Sequence, residues 1–176
     1  MKQSLLALAL TLAGGWGALA TTPLWAAEKI ELTTRVSGVV AQVLVKVGQR
    51  VSKGTVLLRL EKTILQARLD EATAERARAQ ADESDARREL ERAQELFNRT
   101  VSSTTELDAA MLRHARAQAG LSAAQARRVI AQQNLNDADL KAPLDGVIGS
   151  LPGAPGTVVT AECQPKTLVV LNPGRP

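Results

Sequence analysis

Gly38-Val-Val-Ala-Gln-Val-Leu-Val-Lys-Val-Gly48-Gln-Arg-Val51 has a second copy in the same chain, Gly146-Val-Ile-Gly-Ser-Leu-Pro-Gly-Ala-Pro-Gly156-Thr-Val-Val159. The paired glycines keep their spacing, and apolar residues coincide at Val39 and Val147, Val40 and Ile148, Val43 and Leu151, Val51 and Val159. After a small offset, Thr55-Val-Leu-Leu58 is echoed by Thr167-Leu-Val-Val170. Such an internal repeat is one supersecondary unit used twice. In the first copy Val39, Ala41, Val43, Val45 and Val47 share one parity while Gln42 and Lys46 lie on the other, the alternation of a half-buried strand. Gly48 and Lys53-Gly54 stand where turns are needed, and Val56, Leu58 and Leu60 read as a second strand. Asp145-Gly146 opens the second copy in the same manner. Neither unit can bury its apolar face alone, so the two are expected to pack on each other as a β-sandwich.

A long Ala-rich, charged segment separates the copies. At every third and fourth position its first arm carries Leu65, Leu69, Ala72, Arg76, Ala79, Glu83, Ala86, Leu90, Ala93 and Phe97. The second arm carries Leu107, Ala110, His114, Ala117, Leu121, Ala124, Arg128, Ala131, Leu135 and Ala138. Sustained spacing of this kind marks a coiled-coil seam. Alanine lets the backbones approach closely, and Arg76, Glu83, His114 and Arg128 read as seam positions whose long side chains reach out to water. Ser103-Thr-Thr-Glu106 is a capping box that starts the second helix near Thr104. At the far end Asp139-Leu-Lys-Ala-Pro143 is expected to stop that helix, because proline biases its predecessor away from helix. Arms of about 35 residues, at ~1.5 Å per residue, extend roughly 50 Å. The interruption RAQELFNRTVSSTTELD, residues 92 to 108, is therefore a distant tip.

The rest of the composition mostly excludes. The 176 residues suit one domain with an appendage, and 45% hydrophobic content argues against a wholly disordered chain. Met1-Lys2 followed by an apolar stretch from Ser4 to Leu19, broken by Gly14, Gly15 and Gly17, reads as a secretory signal peptide over residues 1–27. Cleavage is expected after Ala20 or within Trp25-Ala26-Ala27, which places the protein in the periplasm; left uncleaved, the segment would hold it at the inner membrane. Cys163 is the one cysteine, so no internal disulfide can form. Removing the leader takes away Lys2, so the formal net charge falls from +4 to +3. That charge is too mild to imply nucleic acid, and Phe97 alone remains as a stacking ring once Trp16 and Trp25 leave. No catalytic residue is expected: roughly 36 Å of helix separates His114 from Ala138, where the sandwich holding Cys163 resumes, which excludes a Cys-His pair within one chain. One histidine and one cysteine so far apart build no metal site, and no cofactor is expected. The carboxylates, as in Glu71/Glu75/Arg78 and Asp82/Glu83/Arg87, read as a solvated face laced with ion pairs.

The order half-motif, helical hairpin, half-motif resembles the periplasmic adaptor proteins, or membrane fusion proteins, of the HlyD and resistance-nodulation-division (RND) efflux type. The matching stretches are Ser37-Gly-Val-Val40, Val45-Lys-Val-Gly-Gln-Arg-Val-Ser-Lys-Gly54 and Leu140-Lys-Ala-Pro-Leu-Asp-Gly-Val-Ile-Gly149. The resemblance implies an α+β fold, a biotinyl/lipoyl-like β-sandwich split by a long antiparallel α-helical coiled-coil hairpin. It assigns residues 28–61 and 140–172 to the two halves of the sandwich, 62–139 to the hairpin and 173–176 to a tail. It implies a non-enzymatic, homo-oligomeric subunit of a tripartite efflux or secretion system. Arg92, Leu96 and Ser103 match the family's channel-docking pattern R-x3-L-x6-S, which implies that the hairpin tip meets an outer-membrane TolC-like channel. Arg99 is a substitute for Arg92. The family's β-barrel and membrane-proximal domains have no counterpart here. The chain is therefore expected to be a minimal adaptor, a truncated gene product or part of a split adaptor, and contact with an inner-membrane transporter is the role most affected. Two other readings stay open. One is a biotin or lipoate carrier with Leu60-Glu61-Lys62 at the swinging-arm turn, although the hairpin occupies that turn. The other is an exported coiled-coil interaction protein without a transport role.

Overall fold

The computed structural model describes residues 29–100, 103–161 and 166–174, so the leader and Cys163 lie outside the described residues. Ten elements follow in order: β1 (Ile30–Leu32), β2 (Gly38–Val43), β3 (Arg50–Val51), β4 (Val56–Leu60), α1 (Thr63–Asn98), α2 (Thr104–Asn136), β5 (Asp139–Lys141), β6 (Gly146–Ser150), β7 (Val158–Val159) and β8 (Val169–Pro173). The strands form two four-stranded antiparallel sheets, ordered β1-β8-β6-β3 and β5-β4-β2-β7.

The internal repeat is visible as an exchange. Each sheet is closed by a short strand from the other copy. On one side β7 pairs with β2 through Gly38↔Val159 and Val39↔Val158; on the other β3 pairs with β6 through Val51↔Gly146 and Arg50↔Val147. The turns repeat the exchange, since Gly48 donates its N–H to the Ile148 carbonyl and Gly156 donates to the Val40 carbonyl, each at 2.8 Å. Both glycines sit at positive φ, 81° and 86°, where a side chain would clash with its own backbone. The symmetry also reaches the edges, with β1 on β8 matching β5 on β4.

Three details depart from the sequence reading. Hydrogen-bond register makes Leu60 the equivalent of Leu171, because Val40 faces Leu60 and Ile148 faces Leu171. The echo from Thr55 to Thr167 is therefore out by one residue. The alternation from Val39 to Val47 also fails. A register shift between Val40 and Gln42 changes parity, so Val40 before it and Val45 after it are both buried, at 1% and 6% exposed, while Val39, read on the inward face, is 40% exposed. Finally, α2 ends at Asn136, and Asp139 to Lys141, read as its stop, form strand β5 on β4. Ladder bonds hold the segment there, continued by Ala142 N–H to the Thr55 carbonyl at 2.9 Å.

Leu57, Leu58, Leu60 and Val40 from the first copy and Ile148, Leu168, Val169 and Leu171 from the second are essentially sealed from water. Leu65 and Ala138, at the two roots of the hairpin, join the same core. Along the arms the seam follows the expected spacing: Leu65, Leu69 and Ala72 of α1 and Leu107, Ala110 and Ala124 of α2 are buried, and Ala79, Ala86, Leu90, Ala93, Ala117, Leu121, Ala131 and Leu135 are half-buried. Arg128 is exposed, as expected of a side chain reaching for water, and Phe97 is exposed at the tip end. Glu83 and His114 do not reach for water. They meet each other across the seam at 3.3 Å. Arg127 with Glu75 and Arg113 with Glu89 also bridge the arms, which fixes their antiparallel register. Among the described residues no helix is long and apolar enough to cross a membrane.

Candidate functional site at the hairpin tip and root

The tip is built by two helix ends. Arg99 caps α1, its backbone N–H donating to the Glu95 carbonyl at 3.2 Å and its guanidinium to Glu95 Oε1 at 2.7 Å. Thr100 follows with φ 62°, a left-handed conformation that a β-branched side chain resists. Ser103 then opens α2 in an extended conformation, and its Oγ accepts from the Glu106 N–H at 3.3 Å, the expected N-cap contact. Thr100→Gly is expected to raise stability by about 1 kcal/mol by removing the left-handed strain, measurable as a higher denaturant midpoint at unchanged slope.

The three residues of the docking pattern all fall at this end. Arg92 and Leu96 are one helical turn apart on the same face of α1; Leu96 is 46% exposed, and Arg92 is exposed with no ion pair among the described residues. Ser103 is exposed but engaged as a cap. Arg99, the substitute for Arg92, is held by Glu95, so Arg92 is the guanidinium left available. The seam pattern gave no place to Met111 and Leu112, which are 45% and 51% exposed two turns into α2. The Arg113–Glu89 pair sets them level with the last turns of α1. Their signal in the sequence was two consecutive apolar residues off the seam. Together with Leu96 and Phe97 they make the distal end of the hairpin apolar among its charges.

At the root, one carboxylate joins three elements. Asp139, which opens β5, accepts from Arg59 Nε of β4 at 2.9 Å and from Lys62 Nζ, at the N-cap of α1, at 2.8 Å. Its side chain is 18% exposed. Burial pushes the carboxyl pKa up, but the hydrogen bonds from Lys62 and Arg59, reinforced by their charges, outweigh it and hold the group below its ordinary range. Lys62, the residue a carrier would modify, is thus spent on the hairpin root. Along one flank Val39, its cross-strand partner Val158, Ile64 and Ile130 expose 40%, 67%, 62% and 60% of their surfaces. Two clefts that share Leu65, Arg68 and Asn134 run beside this flank from β2 to the proximal part of the hairpin.

A family model described as a CzcB-like, barrel-sandwich hybrid domain matches residues 28–168. The chain is 34% identical over 145 residues to the efflux pump periplasmic linker BepF of Brucella suis, a match covering 82% of this chain and 35% of that one. It is 35% identical over 125 residues to the uncharacterized protein YdhJ of Escherichia coli K12, covering 71% and 44%. The chain thus spans less than half the length of these curated relatives. Among solved structures, the membrane fusion protein Spr0693 of Streptococcus pneumoniae superposes with a TM-score of 0.62 at 18% identity, covering 83% of this chain and 59% of that one. ZneB of Cupriavidus metallidurans gives 0.59 at 19% identity, covering 82% and 60%. At such identities the likeness speaks for the fold.

Proposed function

From the premise that this chain belongs to the CzcB-like, barrel-sandwich hybrid family of membrane fusion proteins, we propose that it works as a periplasmic adaptor subunit of an efflux or secretion system, a structural part with no catalytic step. The observation that carries this reading is the hairpin itself: 36 and 33 residues of helix set on a two-copy sandwich, with a distal end that leaves Leu96, Met111 and Leu112 exposed and Arg92 unpaired among the described residues. At ~1.5 Å per residue these arms reach roughly 50 Å from the sandwich. That length suits a spacer between membranes better than a carrier arm.

In this reading the tip docks on the periplasmic end of a TolC-like outer-membrane channel. Leu96 supplies an apolar knob, Arg92 a forked donor for carboxylates or helix-end carbonyls, and Ser103 a hydroxyl beside its own cap. Copies of the chain pack side by side, and the flank of Val39, Val158, Ile64 and Ile130 is the surface through which they do so. An inner-membrane transporter completes the assembly. Leu96→Asp places a charge in a desolvated contact and is expected to reduce co-purification of the channel with the tagged, detergent-extracted adaptor by at least about tenfold, with abundance and helicity unchanged. Equal recovery of the channel with wild type and variant would remove the tip from the contact.

A further inference from the structure

We propose that Thr100 is a recognition residue of the hairpin tip, its side chain carried on a strained backbone so that its hydroxyl can hydrogen-bond a helix end of the outer-membrane channel. The proposal rests on the docking reading above and adds a residue that the pattern of Arg92, Leu96 and Ser103 does not contain. Among the described residues the left-handed region is otherwise used by glycine alone, at Gly48, Gly54 and Gly156 with φ of 81°, 85° and 86°. Thr100, at φ 62°, is the exception. Glycine suffers no steric penalty there and asparagine a small one. A β-branched side chain is the least suited, because its Cβ crowds the following carbonyl.

The fold does not need that side chain. A left-handed residue is an ordinary way to end a helix, and Thr100 serves the turn through its backbone N–H, which donates to the Phe97 carbonyl at 2.9 Å. Glycine would make the same bond. The rest of the closure belongs to neighbours, with the Arg99 guanidinium on Glu95 and the Ser103 hydroxyl on the Glu106 N–H. The Thr100 side chain is exposed, and its hydroxyl has no hydrogen-bond partner among the described residues. A strained residue whose side chain makes no such bond inside the chain points to a contact outside it. Its place fits that contact: Thr100 comes four residues after the exposed Leu96 and three before Ser103, at the far end of the hairpin. A helix end leaves backbone N–H or carbonyl groups without partners in their own helix, and a hydroxyl both donates and accepts. β-Branching restricts the rotamers, so little side-chain freedom is lost when the bond forms. Arg92 and Leu96 are longer and can adapt to different partners; Thr100 is the stiff group, suited to telling one channel from another.

Co-purification of the channel with the tagged, detergent-extracted full chain, run beside denaturant unfolding of the same variants, tests it. Thr100→Gly is expected to raise the denaturant midpoint and yet to lower channel recovery by roughly three- to tenfold. Thr100→Ala keeps a Cβ and so withholds the freedom of glycine; it is expected to lower recovery as much, with a midpoint no lower than wild type. A merely structural role would not separate the two readouts, since damage to the tip lowers both. Recovery at the wild-type level in either variant, while Leu96→Asp loses the channel, overturns the role of Thr100 and leaves the docking reading standing. Recovery that Leu96→Asp also leaves unchanged removes the docking reading and the proposal with it.

Discussion

Replacing Leu171 by alanine is expected to lower the unfolding free energy by about 3 kcal/mol and to loosen both sheets together. Leu171 is fully buried on β8, facing Ile30 of β1 and Ile148 of β6. The lost methyl groups leave a cavity that the flanking strands cannot fill, because Gly146 already has the Asn172 carbonyl 2.5 Å from where a Cβ would stand. Each sheet ends in a strand from the other copy, so neither half of the chain forms a complete sheet by itself. Loss of exchange protection is therefore expected in β2 and β4 as well as in β6 and β8, within one thermal transition lowered by roughly 6–12 °C. Leu58→Ala, made in the other half, is expected to give the same pattern. Separate transitions for the two halves would contradict the interlocked sandwich.

Asp139→Ala is expected to cost about 2 kcal/mol at pH 7 and to loosen the hairpin at its root. Two cations lose their partner at once, but Arg59 and Lys62 are 43% and 36% exposed, and water partly resolvates them. The cost thus stays below that of breaking a fully buried pair. The same carboxylate sets a pH dependence. Its pKa in the folded chain lies below the ordinary value of 3.8. The unfolded chain therefore takes up the proton first as the pH falls, and the stabilisation, fully present above that value, is lost as the pH drops through the lower folded one. Denaturant unfolding of wild type and Asp139→Asn between pH 2 and pH 7 measures this. The gap between the two proteins is expected to be constant above about pH 5 and to shrink towards pH 2. A gap that persists undiminished at pH 2 would mean that the carboxylate matters by shape and not by charge.

The features legible in the sequence were local or repeated. Gly38 with Gly48, and Gly146 with Gly156, exposed the two copies; Gly48 and Gly156 recur because both turns need left-handed backbone, and Gly146 because the Asn172 carbonyl approaches closely. The seam residues followed helical spacing, and Ser103 declared its cap three residues ahead of Glu106. What escaped depended on register between distant segments. The bulge between Val40 and Gln42 inverts a run of valines that alternates without a break on paper. Edge strands β1, Ile30-Glu-Leu32, and β5, Asp139-Leu-Lys141, occupy equivalent places with no shared residue pattern, so the second was read as a helix stop. Asp139 gains its role from Arg59 and Lys62, some eighty positions away in the chain. The Glu83–His114 contact likewise exists only once the arms are aligned.

The docking of the hairpin tip is tested most directly by cysteine crosslinking in intact cells. Ser103→Cys, in a Cys163→Ser background, is paired with single cysteines on the periplasmic helix ends of the cell's TolC-like channels. A crosslink specific to one channel and sharply reduced by Leu96→Asp is the predicted result. A folded, exported and abundant Ser103→Cys protein that yields no crosslink to any of those channels would contradict it.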